Sequence, residues 1–310
     1  MSRMENVIII GSGAAGLAAG IYTARAGLKP LIVAGTLPGG LLTQTSEVEN
    51  FPGFPDGING FDLMDKCREQ AEKFGAEIVY EEVEKVSLDP GKSHKVIFAS
   101  GEEKECKALI IATGSSPRYL GLEGEEKFRN RGVSACATCD GAFYKGVPVC
   151  VVGGGDSAME EALFLTNFAS EVHLIHRRDS FRASKIMADR VKNNEKIIIH
   201  YNSVVTEIFG DKEVDGVILE NTVSKENETI ACKGYFAALG HVPQTELFKG
   251  KVELDEAGYL VLAPHTSHTN VEGVFGAGDC ADKHYRQAIT ASGMGARAAI
   301  DAERYIHSKE

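Results

Sequence analysis

Val7-Ile8-Ile9-Ile10-Gly11-Ser12-Gly13-Ala14-Ala15-Gly16 stands near the start of the chain, and Val147-Pro148-Val149-Cys150-Val151-Val152-Gly153-Gly154-Gly155-Asp156-Ser157-Ala158 repeats its grammar in the middle. Each stretch is a β-branched run, a glycine-rich turn and a small-residue helix start, the strand, turn and helix of a dinucleotide-binding fold. In the first, Gly11 allows the tight turn, Gly13 lets a pyrophosphate approach the backbone, and Gly16 lets helix and strand pack closely. Amides at the helix N-terminus then face the phosphates. The first helix is expected to run through Ala26 and the second through Phe168. One usual feature is missing: the strand Pro30 to Val33 ends in Ala34-Gly35, where an acid would bind a ribose hydroxyl.

The second fingerprint, with Gly153, Gly155, Asp156 and Ser157 as candidate cofactor contacts, carries alanine at its third position. The strand expected after its helix, Glu171 to Ile175, ends in His176-Arg177-Arg178, with Arg182 in the turn beyond. A 2′-phosphate belongs at this place. An aspartate would repel it, whereas charge-assisted bonds worth about 1.5 to 3 kcal/mol each would favour NADPH over NADH by about a hundredfold. The plain alternative is a solvated basic turn after a strand.

Just before that fingerprint lies Ala135-Cys136-Ala137-Thr138-Cys139-Asp140-Gly141. If the pair begins a helix, its cysteines stand one turn apart and can form a disulfide, and the helix start lowers a thiolate's pKa. Zinc would need a second Cys or His pair, which the chain lacks, so no metal site is expected. A structural disulfide closing so short a loop would restrain little of the unfolded chain. Redox chemistry is the better reading. Cys67, Cys106, Cys150, Cys232 and Cys280 are scattered singly, and Cys106 and Cys150 sit at or in apolar runs like inert buried thiols.

The 310 residues, 43% of them apolar, suffice for two domains with proper cores. A formal charge of -11 argues against nucleic acid. No run has the length and apolarity of a membrane span, and no signal peptide fits Met1 to Asn6. The odd cysteine count points to a reducing cytoplasm. Ala108 to Ala112 reads as a strand ending at Thr113-Gly114, where the chain could leave the first domain, and Gly240-His241-Val242-Pro243-Gln244-Thr245 as a return crossing. Val274-Phe275-Gly276-Ala277-Gly278-Asp279 then reads as strand, turn and a carboxylate aimed at a polar ligand. The helix Ala288 to Ile306 comes next, and its Gly293, Gly295, Ala296, Ala298 and Ala299 allow close approach to a sheet or cofactor. The expected fold is α/β with two Rossmann-like dinucleotide-binding domains of three-layer β/β/α type. Residues 1–113 and 245–310 form a discontinuous first domain, and 114–244 form the inserted second one.

These motifs, with Gly39-Gly40-Leu41-Leu42-Thr43, Glu47-Val48-Glu49-Asn50-Phe51-Pro52-Gly53, His176 to Ala183 and Tyr285-Arg286-Gln287-Ala288, resemble those of the low-molecular-weight, bacterial-type thioredoxin reductases nearly end to end. The resemblance implies FAD in the first domain, NADPH in the second, a homodimer, and thioredoxin as acceptor. It places the FAD pyrophosphate on Gly11, Ser12, Gly13, Ala14 and Ala15, and the flavin beside Gly39, Gly40, Leu41, Leu42, Thr43, Asn50 and Val83. Asp279 would bind the ribityl chain or pyrophosphate, while Arg286, Gln287 and Ala288 approach the isoalloxazine. Asp279 could also act simply as a helix cap. By the same resemblance Cys139 is the thiol nearer the flavin, Cys136 attacks the partner, and Asp140 is the acid and base, unless it merely caps the short helix. The chain departs from the family pattern at Ala14, where proline is familiar, and at Leu41, where glutamine is common.

The cysteine pair on the NADPH domain must meet the flavin, face a protein, and make way for nicotinamide. One rigid arrangement cannot serve all three, which predicts rotation about crossings near Thr113 to Arg118 and Gly240 to Thr245. A ferredoxin-reducing relative would not need the pair. A peroxidase-reducing relative carries an added N-terminal dithiol domain, for which Met1 to Asn6 leaves no room, and a non-catalytic redox sensor would sustain no NADPH oxidation.

Overall fold

The computed structural model describes residues 4–45 and 47–309; Met1 to Arg3, part of the short lead-in, lie outside them. The chain divides into two compact units, Met1–Ser116 with Val242–Glu310, and Pro117–His241. The crossing strands Ser115–Pro117 and His241–Pro243 pair with each other.

In the first unit, strand Glu5–Ile10 lies between Leu31–Val33 and the long strand Glu103–Ile111, parallel to both. Glu77–Val79 extends the sheet beyond Leu31–Val33, and Val274–Gly276 joins the inner half of the long strand. The outer half of that strand turns antiparallel, pairing with His94–Phe98 and, through it, Val83–Ser87. Alternation along Glu5–Ile10 explains why the sheet is covered twice, since successive side chains point to opposite faces. Val7 and Ile9 enter a core with the helices Ala14–Arg25 and Ala288–His307, while Ile8 and Ile10 enter another with Val86, Val96, Phe98 and Phe248.

The second unit repeats the plan. Ile197–His200, Val172–Ile175, Val149–Val152, Gly234–Ala237 and Val133–Ser134 form a parallel sheet in that order. One face packs on helices Asp156–Leu165 and Lys185–Lys192. The other packs on the antiparallel meander Ser203–Phe209, Gly216–Asn221 and Asn227–Ala231. The expected α/β architecture of two dinucleotide-type folds is present, and both helices after the glycine turns end earlier than expected, at Arg25 and Leu165.

Buried Glu125 ties the start of this unit to its sheet. Its carboxylate accepts the amides of Leu120, Gly121 and Leu122 at 3.0, 2.7 and 3.0 Å and the Tyr235 hydroxyl at 2.8 Å. Nothing in the local pattern announced this contact, because Tyr235 lies far along the chain.

Candidate active site

The first glycine turn is as tight as its sequence implies. Gly11 has φ +112°, and a Cβ there would meet the Ala112 carbonyl oxygen at 2.2 Å; one on Gly16 would meet the Gly11 carbonyl oxygen at 1.9 Å. Gly13 has open space where a side chain would stand. The Ser12 hydroxyl accepts the Gly39 amide at 3.0 Å, and Gly40 lies close against Gly13, which brings the 39–43 loop to the turn. The Thr43 hydroxyl donates to the Gly40 carbonyl at 2.8 Å, fixing the short helix Leu41–Gln44, on which Leu41 is exposed and Leu42 half-buried. Ala14 and Ala15 begin the helix, and Val83 sits half-buried at the start of its strand beside the second core.

The same locus receives the C-terminal segment. Gly278, at φ +77°, lets its backbone pass so close to Ala15 that a Cβ would come within 2.8 Å of the Ala15 side chain. A Cβ on Gly295 would sit 2.1 Å from the Ala15 carbonyl oxygen, so this glycine serves the packing of the last helix on the first, while Ala298 and Ala299 share a core with the sheet residues Ala108, Ile110 and Phe275. The Asn50 side-chain amide donates to Gln287 Oε1 at 3.3 Å, joining residues from the two ends of the chain. Half-buried Asp279 keeps Oδ1 without a hydrogen-bond partner and out of solvent. Burial, reinforced by the charge of Asp282 and opposed by Arg286, pushes its carboxyl up to about 6. It makes no side-chain cap in the turn Gly278–Cys280.

In the second unit, Gly153 presses on the Ala238 carbonyl, where a Cβ would come to 2.5 Å, and Gly155 faces open space. Arg177, Arg178 and Arg182 are all exposed. Their loop is tied back to the turn: the amides of Arg182 and Ala183 donate to the Gly154 carbonyl at 2.8 and 3.2 Å, and that of Ser184 donates to Asp156 Oδ1 at 2.8 Å. Ser157 is exposed beside Asp156. His176 differs from its basic neighbours. It is buried against Gly154, with Nε2 2.9 Å from the Ser180 carbonyl oxygen, and burial lowers its pKa. The histidine braces the arginine loop from inside.

Cys136 and Cys139 form a disulfide, their Cα atoms 5.3 Å apart. Cys136 is the N-cap of the four-residue helix Ala137–Asp140, and its carbonyl accepts the amides of Cys139 and Asp140 at 3.2 and 3.1 Å. The Ser134 hydroxyl accepts the Cys136 amide at 3.0 Å, and the Thr138 hydroxyl lies 3.4 Å from Cys136 Sγ. Asp140 makes no side-chain cap to the next turn. Burial raises the pKa of its carboxyl despite a bond with Ser134, and the residue is next to Cys139 in the chain. The other cysteines are unlike this pair: Cys106, Cys150, Cys232 and Cys280 are buried and Cys67 is half-buried. Among the described residues no cluster of His, Cys, Asp and Glu could hold a metal ion.

Two nucleotide-binding folds and an internal disulfide define a pyridine-nucleotide-dependent disulfide oxidoreductase. The family model for pyridine nucleotide-disulphide oxidoreductases matches residues 5–295, and the chain belongs to that family. It is 52% identical to a thioredoxin reductase of Streptomyces clavuligerus, covering 99% of this chain and 95% of the relative. It is also 52% identical to a bifunctional thioredoxin reductase/thioredoxin of Mycobacterium leprae, over 98% of this chain and 66% of that longer protein. Among solved structures, thioredoxin reductase from Giardia duodenalis superposes with a TM-score of 0.94 at 44% identity, over 99% of this chain and 100% of the other. Within the family the chain falls among the bacterial-type thioredoxin reductases, NADPH-dependent flavoprotein oxidoreductases that use FAD and NADPH.

Proposed function

We propose that the first unit holds FAD, the second holds NADPH, and the Cys136–Cys139 pair passes electrons to the disulfide of a thioredoxin. The observation that carries this is the internal disulfide at a helix start, followed in the chain by the half-buried carboxyl of Asp140, in a unit that also bears the arginine-flanked fingerprint. The fusion of reductase and thioredoxin in the Mycobacterium leprae relative favours thioredoxin as partner.

The residues fit both cofactors. Open space at Gly13 and the partnerless Oδ1 of Asp279 suit a pyrophosphate and a polyol, and the 39–43 loop, Asn50 and the Arg286–Ala288 segment gather at the same locus. Gly155 leaves room for a second pyrophosphate, and Arg177, Arg178 and Arg182 present guanidinium groups for a 2′-phosphate. When bound, FAD would supply two-electron chemistry that converts hydride transfer into disulfide reduction. In the reduced pair the Cys136 thiolate attacks a thioredoxin sulfur, forming a mixed disulfide and releasing a thiolate that takes a proton from Asp140. Cys139 then gives its thiol proton to the Asp140 carboxylate and attacks Cys136 Sγ, re-forming the internal disulfide and expelling the second thioredoxin thiolate, which is protonated from solvent.

Because the pair and the flavin locus belong to different units, turnover requires rotation about the crossings Ser115–Pro117 and His241–Pro243. A homodimer is favoured by the apolar face of the last helix. Ile289 and Ile300 are exposed on that helix, and a cavity of about 580 Å³ beside it is lined by Leu260, Leu262, Met294 and exposed Tyr285. No helix among the described residues is long and apolar enough to cross a membrane. A reducing cytoplasm suits a dithiol that cycles rather than persisting as a staple.

The test is stopped-flow absorbance of the yellow protein mixed with NADPH and then with thioredoxin, beside a Cys136→Ser/Cys139→Ser variant. Bleaching should precede thioredoxin-dependent recovery in the wild type, and the variant should bleach without that recovery. Recovery in the variant would mean that the acceptor takes electrons without the pair, as expected of a ferredoxin-type reductase.

A further inference from the structure

Asp282 takes no part in the electron path, yet its carboxylate organises the segment that delivers Arg286, Gln287 and the last helix to the flavin locus. Its Oδ1 accepts the amides of His284 and Tyr285, each at 2.9 Å, and its Oδ2 accepts the amide of Arg286 at 3.3 Å. Three nearby N–H groups therefore converge on one side chain. The residue at the end of that clasp, Arg286, has φ +50°, a left-handed conformation that a side chain disfavours. Without a partner holding its amide, Arg286 would relax toward negative φ and rotate the residues beyond it.

Arg286 leads directly into the polar end of the last helix. Gln287 is its N-cap, its amide donating to the Thr290 hydroxyl at 3.3 Å. The Gln287 side chain is pinned on both sides, with Nε2 donating to the Tyr285 carbonyl at 3.2 Å and Oε1 accepting from Asn50 at 3.3 Å. A second consequence is electrostatic. The charge of Asp282 acts on Asp279 and raises the affinity of that half-buried carboxyl for its proton, against the pull of Arg286.

We propose that Asp282 is a positioning residue for the flavin site: its triple amide clasp holds Arg286 in the left-handed conformation and thereby sets Gln287 and the N-terminus of the last helix in FAD-binding register. The proposal rests on the assignment of FAD to the first unit. Its signature is that the loop's competent conformation is fully populated with Asp282 and only fractionally without it, so that apparent FAD affinity falls by that fraction.

The experiment measures FAD dissociation constants of the full-length protein by flavin fluorescence, with amide exchange at residues 284–287 in the flavin-free protein. Asp282→Ala should weaken FAD about tenfold and speed exchange of those amides, while Asp282→Asn, which keeps the Oδ1 acceptor, should recover part of both effects. The decisive comparison lies at Arg286. Alanine and glycine both delete the guanidinium, but only glycine adopts positive φ freely. Asp282→Ala/Arg286→Gly should therefore bind FAD about tenfold more tightly than Asp282→Ala/Arg286→Ala, whereas the two Arg286 single variants should agree within about threefold because Asp282 still holds the turn. FAD affinity and amide exchange unchanged in Asp282→Ala, or equal affinity of the two double variants, would overturn the proposal and leave the FAD assignment standing. A wild-type protein that binds no FAD would remove that assignment itself.

Discussion

Replacing Arg177 and Arg178 together by alanine is expected to remove most of the preference for NADPH over NADH. Both side chains come just after the strand Val172–Ile175, both are exposed, and no ion pair among the described residues engages them or Arg182. The loop is pre-set by bonds that the substitutions leave intact: Arg182 and Ala183 amides on the Gly154 carbonyl, Ser184 amide on Asp156, and His176 on the Ser180 carbonyl. A bond between a guanidinium and a phosphate is worth about 1.5 to 3 kcal/mol, and solvent exposure places these two at the lower end. Their joint loss, about 3 kcal/mol, corresponds to about a hundredfold in binding. Steady-state kinetics with each nucleotide should show kcat/KM for NADPH falling by about that factor while the NADH value changes by less than about threefold. The NADPH KM should also lose much of its dependence on ionic strength. An NADPH to NADH ratio unchanged in the double variant would refute the reasoning and return these arginines to the solvated basic turn that their sequence also permits.

Asp140→Asn should slow thioredoxin reduction by about a hundredfold while leaving flavin bleaching by NADPH nearly intact, because only thiol exchange uses this carboxyl as acid and base; equal losses in both half-reactions, read by stopped flow, would exclude that role. Tyr235→Phe removes one bond to the buried Glu125 carboxylate and should cost about 1.5 to 3 kcal/mol, and Glu125→Ala, which strands three amides and a hydroxyl, should cost more, both read from denaturant midpoints. His94 is fully buried and burial lowers its pKa, so the unfolded chain takes up a proton there that the folded protein resists. Its contribution is present above the ordinary histidine pKa of about 6.5 and is lost as pH falls below it, by up to about 1.4 kcal/mol per pH unit. His94→Leu should flatten that part of the stability profile, and an unchanged slope between pH 6.5 and 5 would count against it.

The local grammar of the chain made much of the fold and site legible. Gly11, Gly16 and Gly153 are glycines because a carbonyl oxygen occupies the space of each missing Cβ, and such constraints are written within a few residues of the strands that precede them. The Cys136–Cys139 spacing likewise foretold a pair within bonding reach. Boundaries were less legible, since the helices after both glycine turns stop at Arg25 and Leu165, short of where composition alone would carry them. His176 looked like one more cation after a strand, and only its burial against Gly154 shows it bracing the loop.

By itself the sequence determined the two nucleotide-binding folds, the redox pair and the basic turn, because strand periodicity, glycine geometry and short cysteine spacing are local properties. Tertiary structure alone decided which distant groups meet: Asn50 with Gln287, Glu125 with Tyr235, Gly295 with Ala15. It also decided which carboxylates lose their water, raising Asp140 and Asp279. Even the short-range clasp of Asp282 becomes meaningful only when the last helix has docked on the first. Desolvation and long-range contact depend on how the chain packs, and no local pattern of residue types encodes them.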